Sequence, residues 1–501
     1  MKKLVKLQVY SFISRTMAML LGMVQTFVIV RVLTVSEWGV VQLAASIGGA
    51  FGIYQHLGLA SGSTREISAA KNDKDVFKIF VTGVLIRYLV TVPIALFLFF
   101  GAERLALNQY NNASLIFPIK LYALVLIVES SQSILNSVIS GTKRFKQLFI
   151  YQSLIALVSV CIYIPLVYFF KVNGYFYALV LFNLIGTITL SVIAFKPYWH
   201  MLELPSKKDF IRLFKELLSI SLGIYVVKII YTWWEKSGAL LLGLNLSSEM
   251  VAFFSFALLY GKKLMLISDS ITTVNLPVLS EKYTENLYEF KQMFVSNFNK
   301  IYVAILGAGF FAIYWSREVF YVLVGGNKYD PSLPMVLPLV FAFIFYSFIN
   351  IIQSSIVIPA KKVLVMITSF VIMIAVTIVG YFLTRNAFDP LLAMSYFVAL
   401  GSLFGLLFMS FLSSFTLEFG ILNWKHLLLF VQVLGMSLSY MVTGLGLKAV
   451  LFVVFAWLYW WAVTQTGFLT KEHVFVAKRM FLTKLGQLHT RLKNVREKTS
   501  N

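Results

Sequence analysis

The chain has 501 residues, 59% of them hydrophobic and 13% charged, with mean hydropathy +0.82 and a formal net charge of +22. Soluble domains hold about 45–50% apolar residues, so an ordinary soluble domain is excluded. The single Cys161 excludes an internal disulfide and a cysteine-based metal site, and basic residues scattered over short connections exclude a nucleic-acid-binding domain.

Apolar runs of about twenty residues recur along the whole length, which is the pattern of a polytopic helical membrane protein. About fourteen spans are predicted, near 9–33, 38–60, 79–101, 118–140, 148–170, 176–195, 217–240, 250–273, 301–316, 335–357, 364–384, 390–414, 427–445 and 449–469. The fold class expected is all-α. The runs are continuous rather than alternating, which argues against a β-barrel. With the N-terminus placed inside, the inside connections hold about 29 Lys and Arg and the outside ones about five, Lys448 among the latter. This asymmetry predicts cytoplasmic N- and C-termini in a cell (inner or plasma) membrane.

A weak internal repeat relates the two halves. "LTVSEWGVVQLAASIGG" from Leu33 parallels "LNLSSEMVAFFSFALLYG" from Leu244, and "DVFKIF" from Asp75 parallels "YEFKQMF" from Tyr288. The expected organisation is an N-terminal six-helix lobe with its linker (1–216), a C-terminal six-helix lobe (217–426), two further spans (427–469) and a cytoplasmic tail (470–501). In the tail, Phe481, Leu485, Leu488, Leu492 and Val495 form an apolar stripe bordered by Arg and Lys, as in a basic amphipathic helix on a membrane surface.

Eight basic residues fall inside the apolar segments: Arg15, Arg31, Arg87, Lys120, Lys228, Lys236, Lys262 and Lys263. Only three acids accompany them, Glu129, Glu235 and Asp269, with Glu318 just beyond a span. A charge at bilayer depth costs at least about 2.5 kcal/mol and therefore usually faces protein or a watery cavity. Arg31, Lys120 and Lys236 lie near the outer boundary, where long side chains reach water. Lys228, Lys262 and Lys263 lie near mid-span, and Arg15 and Arg87 in the inner third. These last five are the candidate lining of a cationic cavity for phosphate, diphosphate or acidic sugars. Glu129, Glu235 and Asp269 are candidates for ion coupling; Glu129 is alternatively the partner of a neighbouring Arg. Lys228 with Glu235, and Lys262 with Asp269, share helix faces but stand about 10 Å apart along the axis.

Catalytic signals are poor. The five histidines show no paired ligand spacing, no P-loop is present, and "GLASG" at 58–62 misplaces its serine for a nucleophile elbow. No catalytic residue, metal or cofactor is expected, and the chain is not expected to be an enzyme.

The segments "RVLTVSEWGVVQLAASIGGAFGIYQHLGLASGSTREIS" at 31–68, "FYVLVGGNKYDPSLPMVLPLV" at 320–340 and "NLPVLSEKY" at 275–283 carry a family likeness. With them the chain resembles the polysaccharide and O-antigen flippase family, within the multidrug/oligosaccharidyl-lipid/polysaccharide exporter superfamily. The resemblance implies two six-helix lobes around a central cavity lined by the first, second, seventh and eighth helices. It implies alternating access that moves a polyprenyl-diphosphate-linked oligosaccharide to the outer leaflet for the cell envelope. The partners implied are that lipid-linked oligosaccharide, membrane lipids, and a glycan polymerase or glycosyltransferases. The rival readings are a multidrug exporter of the same fold and a non-transporting glycan-assembly protein.

Overall fold

The computed structural model describes residues 2–70, 72–196, 203–269, 279, 282–283, 285–417, 420–442 and 444–468. The expected amphipathic tail and most of 275–283 lie outside the described residues. Those residues form sixteen α-helices: α1 (Lys2–Val32), α2 (Val35–Gly52), α3 (Leu59–Ala69), α4 (Asp73–Arg104), α5 (Ile116–Glu129), α6 (Gln132–Gly141), α7 (Phe145–Phe195), α8 (Lys207–Gly243), α9 (Ser248–Lys262), α10 (Leu287–Tyr314), α11 (Ser316–Val324), α12 (Leu333–Ile352), α13 (Val363–Thr384), α14 (Pro390–Leu417), α15 (Trp424–Ser437) and α16 (Leu445–Thr466). Among the described residues, nine helical segments are long and apolar enough to cross a membrane.

Local chemistry sets many of the helix starts. Thr34 and Glu37 form a capping box at α2, as Ser206 and Asp209 do at α8. Asn72 caps α4 and Asn286 caps α10. "DVFKIF" and "YEFKQMF" both fall in the first turns of a capped helix.

Helix α7 is too long to cross once, since its 51 residues would span about 76 Å if straight. It breaks at Lys171, whose φ of 53° and ψ of −127° are not helical. Arg144 donates to the carbonyls of Ile193 and Ala194 at 2.7 Å, Tyr151 donates to Gly186 at 3.5 Å, and the rings of Tyr163 and Tyr175 lie 5.3 Å apart. These pairings make an antiparallel hairpin from what the sequence predicts as two spans. By contrast, the span expected to run unbroken over 118–140 is interrupted at Ser130–Ser131, between α5 and α6. Polar side chains supply an alternative partner there, with the Ser130 hydroxyl 3.2 Å from that of Thr91.

Helix α12 has no charged residue and is buried all round, as a uniformly apolar helix should be. The two halves meet where α2 and α9 begin. A Cβ on Gly39 would fall 1.8 Å from the carbonyl oxygen of Ser248, so only glycine permits this approach. Asn112 donates to the Ser248 hydroxyl at 2.8 Å in the same place. The repeat-related helices thus pack directly on one another.

Lys448, counted in the sequence as an outside-loop cation, is instead fully buried and paired with Glu318 at 2.8 Å. The first turn of α16 carries it against α11, and the faces of Tyr314 and Trp315 lie beneath its ammonium at 5.4 and 5.6 Å. Stacked Phe310 and Phe452, 5.9 Å apart, extend the same contact between α10 and α16.

Candidate functional site

A cavity of about 480 Å³ lies between α1 and the end of α9. Gly22, Gln25 and Thr26 line it from α1, and Lys262, Lys263 and Asp269 from the other wall. Gln25 is fixed by a hydrogen bond from Ser159 on α7, and Ser14, on the same helix, donates to the Phe149 carbonyl at 2.9 Å. Arg15 lies on α1 between those positions; its side chain is outside the described residues.

The charges on α8 and α9 converge on one carboxylate. Glu235 Oε1 lies 2.7 Å from Lys262 Nζ and 3.2 Å from Lys236 Nζ. Its side chain is only 10% exposed, while that of Lys262 is 35% exposed. Lys236, expected to reach water, keeps a 29% exposed side chain while also contacting the neighbouring acid. The Lys263 side chain makes no ion pair or hydrogen bond among the described residues, and the Asp269 carboxylate accepts from Asn350 at 2.7 Å. Neither helix-face pair read from the sequence is in contact: Glu235 pairs with Lys262 and Lys236, Asp269 accepts from Asn350, and the Lys228 side chain makes no ion pair among the described residues.

Arg87 and Glu129 belong to a polar network inside the N-terminal half. Arg87 is buried and donates to the Ser133 hydroxyl and, at 2.9 Å, to His56 Nδ1. Glu129 accepts from Gln55 Nε2 at 2.9 Å, and Gln55 accepts from Thr91 at 3.0 Å. Arg87 and Glu129 form no ion pair, and the carboxylate's hydrogen-bond partner among the described residues is the Gln55 amide. The exposed Lys228 lies on α8 between Tyr225 and Trp233, both of which hydrogen-bond Tyr54, two residues before His56.

Two groups escaped sequence reasoning. His56 gave no signal because it is a lone histidine, and Lys328 looked like an ordinary loop cation. Lys328 donates to the carbonyls of Val30 and Leu33 at 2.6 and 3.0 Å, capping α1. Arg31 in return donates to Leu323 at 2.9 Å and to Val322, capping α11. Arg31 remains exposed, as expected near a boundary, but it is tied to the other half rather than free. Lys120 lies 5.7 Å from the Phe99 ring centre. Among the described residues, no three His, Cys, Asp or Glu come together as metal ligands.

Residues 28–334 match the polysaccharide biosynthesis protein family. The chain belongs to this family. Its fold is similar to that of the lipid II flippase MurJ in an inward closed conformation, with TM-score 0.66 and 13% identity over 91% of this chain and 98% of that one. It is also similar to a multidrug resistance MATE family transporter of the MOP superfamily in an inward-facing conformation, with TM-score 0.62, 12% identity, and 81% and 99% coverage. An outward-facing conformation of such a transporter gives TM-score 0.55, 14% identity, and 83% and 95% coverage. No curated protein matches in sequence. This family member therefore has the multi-pass helical membrane fold that flippases and drug transporters share.

Proposed function

We propose that the protein is a flippase that carries a polyprenyl-diphosphate-linked oligosaccharide from the cytoplasmic to the outer leaflet by alternating access. The observation that carries this reading is the cationic wall of the α1–α9 cavity. Lys262 and Lys263 line it, Lys236 shares the Glu235 carboxylate with Lys262, and Lys263 has no countercharge in contact among the described residues. An anion entering such a site exchanges its water for fixed ammonium groups in a low-dielectric setting, which lowers its dehydration cost.

The cavity volume of about 480 Å³ lies within the ordinary range for a small-ligand site, about 300–1,000 Å³. It accommodates the diphosphate and its nearest sugar; the remaining sugars extend between the two halves. The packed starts of α2 and α9 and the Arg31–Lys328 contacts close the outer end, so the protein rests facing the cytoplasm. The positive-inside distribution supports that orientation, with both termini in the cytoplasm. We place the protein in the cell membrane, beside the polymerase or glycosyltransferases that use its cargo.

Glu235 neutralises Lys262 in this structure, and the substrate diphosphate takes its place. Coupling to a proton or cation would act most directly at Glu235, because it competes with substrate for the same ammonium. Glu129 and Asp269 are held by Gln55 and Asn350. A cationic drug would be repelled by this wall, which disfavours the multidrug reading.

The test uses the purified full chain in liposomes with a fluorescent polyprenyl-diphosphate oligosaccharide. Replacing Lys262 and Lys263 together by Gln should slow its movement at least about ten-fold, as expected on losing charge-assisted contacts worth about 1.5 kcal/mol or more. Unchanged movement would remove the lysines from the site, and no movement by the wild type would favour the drug-exporter or assembly reading.

A further inference from the structure

A second cationic group stands apart from the α1–α9 wall. The Arg87 guanidinium is buried, makes no ion pair among the described residues, and its Nε has no hydrogen-bond partner. Its Nη2 lies 2.9 Å from His56 Nδ1. Arginine only donates, so Nδ1 accepts and the imidazole proton sits on Nε2. His56 therefore presents an N–H donor rather than an acceptor.

Tyr54 brings this histidine to α8. Tyr225 donates to the Tyr54 carbonyl at 2.9 Å, and Trp233 donates to the Tyr54 hydroxyl at 2.9 Å. Lys228 lies between those two anchors in sequence and is exposed, with no ion pair or side-chain hydrogen bond among the described residues. The Tyr54 anchors thus bring the His56–Arg87 pair to the stretch of α8 that carries Lys228, and among the described residues Arg87 and Lys228 make no ion pair. A buried or membrane-embedded cation without a countercharge is costly, so a site that keeps one is poised for an anion.

Position along α8 decides which anion. Lys228 and Glu235 are seven residues apart, within about 20° of one face and about 10 Å along the axis. The Lys228–His56 donors and the Lys262–Lys236 cluster on Glu235 are thus two stations on one stripe. A diphosphate is too short to touch both.

We propose that the substrate carries a second anionic group, the carboxylate of an acidic sugar, which binds Lys228 Nζ and His56 Nε2 while its diphosphate binds at Lys262 and Lys263. Arg87 acts as a positioning residue that fixes the tautomer of His56 and adds its charge to the field. This rests on the flippase reading and narrows its substrate class to acidic glycans.

The test compares two fluorescent polyprenyl-diphosphate oligosaccharides that differ only in glucuronic acid against glucose at one sugar. Movement is measured with the full chain in phosphatidylcholine liposomes. The wild type should prefer the acidic lipid by about ten-fold, the value of one charge-assisted hydrogen bond of about 1.4 kcal/mol. Lys228→Gln should bring the ratio near one and Lys228→Arg should restore it; His56→Gln, which does not depend on how the lysine variant folds, should lower it too. Equal movement of both lipids by the wild type overturns the second station and leaves the flippase reading standing. So does a preference that survives both Lys228→Gln and His56→Gln. A preference abolished by adding phosphatidylglycerol assigns the donors to a lipid headgroup and also overturns the proposal. If the wild type moves neither lipid, the flippase reading falls and the proposal falls with it.

Discussion

Glu235→Gln should tighten anion binding. One carboxylate oxygen holds Lys262 at 2.7 Å and Lys236 at 3.2 Å. An incoming diphosphate must displace that carboxylate before it can use the Lys262 ammonium. A hydrogen bond between charged groups contributes about 1.5–3 kcal/mol. The Lys262 side chain is 35% exposed, so solvent screens the pair and the lower end applies. Each 1.4 kcal/mol is a factor of ten, so inorganic diphosphate should bind the Gln variant about ten-fold more tightly. Isothermal titration of diphosphate into the full chain in detergent reads this directly. The gain should vanish when Lys262→Gln is added, because the competition is for that ammonium. Equal or weaker binding by Glu235→Gln would refute the exchange, and would mean that the carboxylate holds the lysines ready rather than competing for them.

Three further outcomes follow from the packing. Glu318→Gln leaves Lys448 buried without its carboxylate; breaking such a pair costs about 3–5 kcal/mol, reduced to about 2–3 kcal/mol by the partial exposure of Glu318. Unfolding in detergent should show this loss, with Lys448→Met less harmful, and a change under about 0.5 kcal/mol would count against the buried pair. Replacing Arg31 and Lys328 together by Gln removes the hydrogen bonds that join α1 to α11. A single cysteine placed near the Gly39–Ser248 contact should then react faster with a membrane-impermeant thiol reagent added outside, and an unchanged rate would deny these bonds a role in closure. Gly39→Val cannot fit beside the Ser248 carbonyl, so it should hold the outer end open and raise the same labelling rate, whereas labelling at the wild-type rate would show that α2 and α9 separate without cost.

The helices were legible because long apolar runs and their caps are local features. Thr34 with Glu37 and Asn72 with Asp75 announce helix starts in the sequence and serve as such. The α7 hairpin was legible as two spans, with the polar Lys171 and Asn173 and Gly174 between them marking the turn. The break at Ser130–Ser131 falls in the polar run "VESSQSILNS" at 128–137, whose partners lie on other elements. The candidate site was legible as an excess of cations at membrane depth, but the partnerships were not. Glu235 meets Lys262 across two helices, and Lys448 meets Glu318 across 130 residues of chain. Such contacts depend on how elements pack, which periodicity within one helix does not encode. His56 became visible only when Arg87 was found donating to it.

The most direct test of the central claim is transbilayer movement of a fluorescent polyprenyl-diphosphate oligosaccharide in liposomes that hold the purified full chain. The account predicts movement by the wild type that falls at least about ten-fold in the Lys262→Gln, Lys263→Gln variant. Absence of movement by the wild type, with and without an ion gradient and with both acidic and neutral glycans, would contradict it.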